Sequence, residues 1–170
     1  MGERGVLVRK ATPKEIRSIV DLSVALFQED AGQRDPFMNL DWPRLEGGEY
    51  YTGMALGQDS VCLVAEVEGT VVGFLTGHTS KPDSMRPVQT AELESMFVER
   101  GFRGQQVGTN LARGFLAWCQ EKRAQRVSVT AYAANVQAVE FYRRLGFEPR
   151  SVTLELSLDD VVGGTSPHRT

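Results

Sequence analysis

The sequence predicts an α/β (α+β) domain built on a mixed sheet, and three observations carry that prediction. The stretch 60–80, SVCLVAEVEGTVVGFLTGHTS, is two apolar strand-like runs broken at Glu68-Gly69, a turn signal that makes it a hairpin. Further on, two segments with helical spacing, 104–124 and 135–146, enclose the strand-like run RVSVTAYA. Hairpins need antiparallel neighbours and helical crossovers need parallel ones, so the sheet is mixed. The third observation is size: 170 residues, 41% hydrophobic and 24% charged, suit one soluble globular domain with a packed core.

In chain order, GVLVRKA opens the domain as a short strand. A helix follows over 12–30, where Thr12 caps, Pro13 suits the first helical position and Glu15 completes a capping box. Ile16, Ile19, Val20, Leu26 and Phe27 then recur on one stripe. A second helix is expected within 42–57, WPRLEGGEYYTGMALG, its path loosened by Gly47 and Gly48. After the hairpin comes a polar, proline-bearing loop over 81–89, and TAELESMFV (90–98) returns to a strand pattern. The helix over 104–124 brings Val107, Leu111, Phe115 and Trp118 near one face. Asn135 caps the next helix, Ala138, Phe141 and Leu145 mark its face, and Gly146 is its stop. One or two closing strands are expected in FEPRSVTLELSL (147–158). The expected architecture is six to seven strands flanked by about four helices, in a single domain over 1–158 with a flexible tail over 159–170.

Composition excludes several classes. The N-terminal MGERGVLVRK mixes charge with apolar residues, and no apolar run approaches the roughly 18 residues of a membrane span. A cytoplasmic protein without an export signal or a membrane partner is expected. Cys62 and Cys119 lack any C-x-x-C companion, so neither a disulfide framework nor a metal site is expected. A net charge of −3 argues against nucleic acid as a partner. The charge is uneven: 28–50 holds six acids and two bases, whereas the rest of the chain holds 16 acids and 17 bases. The whole acidity of the protein lies in that one segment.

FRGQQVGT (102–109) is a glycine-punctuated turn feeding a helix. A helix N-terminus offers unpaired N–H groups and the positive end of the peptide dipole, which together attract phosphate oxygens. Arg103 adds a charge, and Gly104 and Gly108 leave bare backbone. No lysine follows Gly108 and no G-x-G-x-x-G is present, so neither nucleotide-binding class is supported. From these residues alone, glycines that merely shape a loop and a helix–sheet contact remain an equal reading.

The tie is broken by a second block. ESMFVERGFRGQQVGTNLARGFLAWC followed by NVQAVEFYRRLGFEP resembles the GNAT superfamily of N-acetyltransferases, whose acetyl-coenzyme A motif is R/Q-x-x-G-x-G/A. Arg103 and Gly108 match it, and Gln106 stands where the middle glycine belongs. Asn135, Ala138, Phe141, Tyr142, Leu145, Gly146 and Phe147 match the second block. The resemblance implies a twisted sheet splayed between its fourth and fifth strands, with the pantetheine arm of acetyl-CoA against the backbone of Met96, Phe97 and Val98. It implies a diphosphate on the N–H groups of Arg103, Gly104, Gln105, Gln106, Val107, Gly108 and Thr109, with Asn135 and Tyr142 near the thioester. A homodimer is one assembly it leaves open. A Gln106 in right-handed helical geometry would need no positive φ and would keep its N–H toward the phosphate.

Acetyl transfer from a thioester to an amine needs a neutral amine, a stabilised oxyanion and a protonated leaving thiolate. With the family match, Tyr142 suits the proton donor, because a phenol near pKa 10 is protonated at neutral pH. Glu92 and Glu94 share one face of a strand, and related enzymes place a glutamate at the position of one or the other; Glu94 is favoured as base. The N–H of Phe97 or Val98 is the expected oxyanion contact. Cys119 is read as core, and His78 is given no catalytic role. In this superfamily the first helices and their loop build the acceptor end, which here is the acidic segment. Glu29, Asp30 and Asp35 would attract a small cationic amine such as a polyamine, an aminosugar or an aminoglycoside-type antibiotic, with Trp42, Tyr50 and Tyr51 stacking or covering apolar surface. A peptide or protein amine is the second reading, and a non-catalytic acyl-CoA-binding module the third.

Overall fold

The computed structural model describes residues 5–158. β1 (Val6–Lys10) leads into a 3-10 turn at Pro13–Glu15 and then α1 (Ile16–Glu29). The predicted capping box is formed: the Thr12 N–H and hydroxyl both donate to Glu15 Oε2, at 2.6 and 2.8 Å. Arg9 also reaches Glu15, and its charge-assisted hydrogen bond holds the carboxyl down at about 2. The acidic segment winds into two single turns, α2 (Ala31–Arg34) and α3 (Trp42–Leu45), before α4 (Gly47–Leu56). The two turns are too short to leave a helical period in the sequence.

β2 (Ser60–Val67) and β3 (Thr70–Ser80) form the expected hairpin, with Glu68 and Gly69 at φ 50° and 80°, the left-handed pair that a two-residue turn requires. β4 (Thr90–Val98), α5 (Val107–Glu121), β5 (Arg126–Val129) and α6 (Val136–Arg144) complete the described elements. The sheet runs β1-β2-β3-β4-β5, antiparallel except for the parallel β4–β5 pair. Among the described residues the sheet therefore has five strands rather than six or seven. Residues 147–157 carry no strand: Val152, Leu154 and Leu156 alternate correctly but are 83%, 90% and 72% exposed and pair with no described strand. A period of two makes a strand only where a neighbour supplies the ladder. The 159–170 tail lies outside the described residues.

Two apolar clusters sandwich β2, β3 and β4. On one face α5 brings Val107, Leu111, Phe115 and Trp118 onto Leu63, Val72, Leu75, Ala91 and Leu93. Gly77 makes room there, since a Cβ on it would sit 2.3 Å from the Phe115 ring. On the other face Ile19, Leu22, Tyr51 and Met54 of α1 and α4 meet Cys62, Val64, Phe74 and Phe97. Both cysteines are buried thiols, as expected, and burial raises them to about 12 (Cys62) and about 11 (Cys119).

Candidate active site

The site begins with a fault in β4. Thr76 pairs with Ser95 and Gly77 with Leu93, so Glu94 is the extra residue of a β-bulge. Pairing with β5 ends at the same place, because Leu93 opposite Val129 is its last pair. From Glu94 to Val98, β4 is held by β3 alone and its other edge is open. Glu99 N–H donates to the Val72 carbonyl at 2.9 Å, and direction alternates along an antiparallel ladder. Phe97 therefore turns its N–H toward β3, whereas Met96 and Val98 turn theirs to the open edge. Of the two expected oxyanion donors, only Val98 faces the cleft.

The loop after β4 presents a cluster of free donors. Among the described residues, the backbone N–H groups of 104–109 have no backbone acceptor, and the α5 ladder first closes with Asn110 N–H to the Gln106 carbonyl at 2.8 Å. Gln106 corrects the sequence expectation. It is left-handed, at φ 64° and ψ 3°, because the chain must reverse abruptly to enter α5. Its side chain is exposed, which leaves the cradle unfilled. Arg103 is committed elsewhere: Nε donates to the Val98 carbonyl at 2.8 Å, and Nη1 lies 2.6 Å from Glu29 Oε1. That contact and the neighbouring Arg100 lower the Glu29 carboxyl.

Across the cleft, Asn135 caps α6 by accepting from Ala138 N–H at 3.1 Å and donates from Nδ2 to Asp30 Oδ1 at 2.9 Å. Asp30 also pairs with Arg34 at 2.9 Å, and Asp35 accepts hydrogen bonds from Phe37 N–H and Tyr132. The acidic segment is thus latched to the loop that precedes α6. Of the four residues expected to bind the acceptor, Glu29, Asp30 and Asp35 are engaged inside the protein and Trp42 faces a pocket. Tyr142 packs edge-on against Phe141 and Phe147, and its phenol is pushed up to about 12, first by burial and then by the charge of Asp30.

That pocket, about 400 Å³, is walled by Phe27, Met38, Trp42, Tyr50 and Tyr51, with Glu94 and Ser95 as its polar side. Trp42 stacks on Phe27 at 5.7 Å and meets Tyr50 edge-on at 5.3 Å. The bulge directs both Glu94 and Ser95 toward the α1/α4 face. Tyr50 Oη donates to Glu94 Oε2, and His78 Nδ1 lies 2.5 Å from Glu94 Oε1. Glu92 is on the same face, opposite His78 in the β3–β4 register, and has no side-chain partner among the described residues. His78 is the residue that sequence reasoning passed over. Its pairing depends on the register across the 81–89 loop and on the bulge, and neither leaves a local sequence signal.

This arrangement, a strand edge laid open by a bulge, a turn of unpaired N–H groups and a carboxylate on the opposite face, defines an acyl-transfer fold. The profile described as "Acetyltransferase (GNAT) family" matches residues 17–147, and the chain belongs to that family, whose enzymes use acetyl-CoA. An uncharacterized N-acetyltransferase of Methanocaldococcus jannaschii is 29% identical over 103 residues, 61% of this chain and 46% of that one. A putative [ribosomal protein bS18]-alanine N-acetyltransferase of Bacillus subtilis is 29% identical over 90 residues, 53% and 55% of the two chains. The chain spans about half the length of these curated relatives. A predicted acetyltransferase from Clostridium acetobutylicum solved with acetyl-CoA superposes with a TM-score of 0.71, at 18% identity over 92% of this chain and 98% of that one. An aminoglycoside acetyltransferase from an uncultured soil metagenomic sample, solved with sisomicin, gives 0.66 at 18% identity over 89% and 95%. No helix among the described residues is long and apolar enough to cross a membrane.

Proposed function

We propose that this chain is an acetyl-CoA-dependent N-acetyltransferase acting directly on the primary amine of a small cationic molecule. The observation that carries the proposal is the position of Glu94, which stands on the bulge with its carboxylate in the aromatic pocket while the open edge of β4 begins at the same residue. The open edge and the free N–H groups of 104–109 fit the pantetheine arm and the diphosphate of acetyl-CoA. Once bound, that molecule supplies an activated acyl carbon and a thiol leaving group. Glu94 takes the proton of the incoming amine, and Val98 N–H stabilises the charge that develops on the acyl oxygen. Tyr142 Oη would protonate the departing sulfur and regain a proton from the nitrogen that becomes the amide, and its raised pKa keeps that proton in place at neutral pH. Glu92 is the alternative base, one pleat further from the open edge.

Because Glu29, Asp30 and Asp35 are engaged internally, the pocket selects for one ammonium group on a body that packs against rings. Phe27, Trp42, Tyr50 and Tyr51 suit the ring faces of an aminosugar, and ammonium over aromatic faces is itself favourable. The likeness to a sisomicin-bound aminoglycoside acetyltransferase supports that class. The second reading, a peptide or protein amino terminus, is favoured by the similarity to the alanine N-acetyltransferase. Thiol release from acetyl-CoA across aminoglycosides, polyamines and peptides tests both. Release with an aminosugar or polyamine is the expected result, and release with peptides alone overturns the small-amine reading. Tight acetyl-CoA binding without release for any amine would make the chain a binding module.

A further inference from the structure

Glu94 is an unusual base in one respect: its close partners carry no permanent positive charge. Its side chain is 24% exposed, and among the described residues neither lysine nor arginine touches it. Oε2 is held by the Tyr50 hydroxyl, and Oε1 lies 2.5 Å from His78 Nδ1. That nitrogen is shielded from solvent and is out of line for a hydrogen bond of its own, yet 33% of the His78 side chain remains exposed. The exposed part of the ring therefore lies beyond Nδ1. An imidazole with one edge against a half-buried carboxylate and another in water is a route for a proton between them.

We propose that His78 is a positioning and relay residue behind Glu94. The proton that Glu94 takes from the amine passes to His78 Nδ1 and leaves to water from the exposed side of the ring. The inference rests on Glu94 being the base. In the step, an N–H bond of the ammonium breaks and an O–H bond forms on Glu94. That O–H then breaks as an N–H forms at Nδ1, which restores the carboxylate; the imidazolium gives the proton of its other nitrogen to water, and rotation of the ring lets the Nδ1 proton exchange through water to that nitrogen, so that Nδ1 accepts again in the next turnover. No oxidant or further reactant is involved. The groups facing His78 are Glu92 and Glu94 from β4, Tyr50 from α4 and, opposite in register on β2, Ser60. Tyr50 acts as the second clamp, because its hydroxyl keeps the Oε2 edge of the carboxylate in place while Oε1 trades the proton.

The test compares kcat against pH at saturating acetyl-CoA for the wild type, His78→Gln, His78→Ala and Glu94→Gln, using the amine that releases most thiol in the panel above. His78→Gln keeps the polar shape but cannot carry the proton. Its kcat should fall about tenfold or more and lose the wild-type acid limb, with the KM of the amine within about twofold. Added imidazole should restore His78→Ala toward wild type. Wild-type kcat and pH profile in His78→Gln overturn the relay, and so does an impaired His78→Ala that imidazole leaves unrescued. The Glu94→Gln arm separates the two inferences. If it is fully active, Glu94 is not the base and the relay falls with it; if it is impaired while His78→Gln is not, only the relay falls. Thermal melts of each variant identify any that fail to fold, and for those the smaller change Tyr50→Phe is the check: it should lower kcat without removing the acid limb, and loss of that limb would overturn the assignment to His78.

Discussion

The sheet is held in two different ways on the two sides of β4. From β2 to β4 the strands are covered on both faces, and Val64, Val72, Phe74, Leu75, Leu111 and Phe115 are completely buried. Beyond α5 no described residue is buried: β5 has four residues, α6 keeps its apolar side half-exposed, and 147–158 is mostly exposed. Stability is therefore concentrated in the first part, and the second is joined to it by four register pairs and by the latch of Asp30 to Asn135. The proposed cofactor cleft lies along the seam. A seam between a rigid wall and a lightly packed one lets a long, flexible ligand enter without disturbing the core.

The largest effect that would break this comparison is a core truncation. Phe115→Ala empties the space between Gly77, Trp118 and the sheet, and should cost about 3–5 kcal/mol. Val139→Ala, on half-buried α6, should cost less than about 1.5 kcal/mol. Urea unfolding of the pair measures both. Equal losses would mean that the second part is packed as firmly as the first.

Next in size is a change that should leave stability alone and remove chemistry. Tyr142→Phe is expected to lower kcat about 10²-fold, or roughly 2.7 kcal/mol of barrier, with KM for acetyl-CoA nearly unchanged. It also carries a pH signature. Because the folded phenol titrates at about 12 and the unfolded one near 10, the unfolded state gives up the proton first. The wild type then loses stability between pH 10 and 12, and Tyr142→Phe loses less over that window. An unchanged alkaline melting curve would show that Tyr142 is not held in a desolvated site.

How much of this was legible in the sequence follows the same division, inverted. The second part, least buried, was the most readable, because a helix N-cap at Asn135 and the spacing of Ala138, Phe141 and Leu145 are local signals. The capping box at Thr12 and the turn at Glu68-Gly69 were readable for the same reason. What escaped depends on register. The bulge at Glu94 and the meeting of His78 with Glu94 arise from pairing across a nine-residue loop, where a shift of one residue would send each side chain to the other face. The acidic segment was legible as charge alone. Charge summed along a sequence says nothing about partners, and Glu29, Asp30 and Asp35 turned out to be paired with Arg103, Arg34, Asn135 and Tyr132. Likewise the strand alternation of Val152, Leu154 and Leu156 was real as a pattern, but the segment pairs with no strand among the described residues.

The smallest predicted effect bears on the seam itself. Gln106 holds φ 64°, a conformation that costs a side chain with a Cβ about 1–2 kcal/mol and costs glycine almost nothing. Gln106→Gly relieves that strain, yet it also gives the unfolded chain more freedom, which offsets about 0.4–1 kcal/mol. The net gain should be roughly 0–1.6 kcal/mol, or a rise in melting temperature of at most about 6 °C. The effect on ligand is separable. Removing the Cβ bares the backbone between the N–H groups of Gln105 and Val107, so a diphosphate can approach more closely, and the KM for acetyl-CoA should fall with kcat unchanged. A Gln106→Gly variant that melts several degrees lower would show that the exposed side chain has stabilising contacts of its own. One with weaker acetyl-CoA binding would show that Gln106 supplies a donor to the diphosphate that the backbone alone does not.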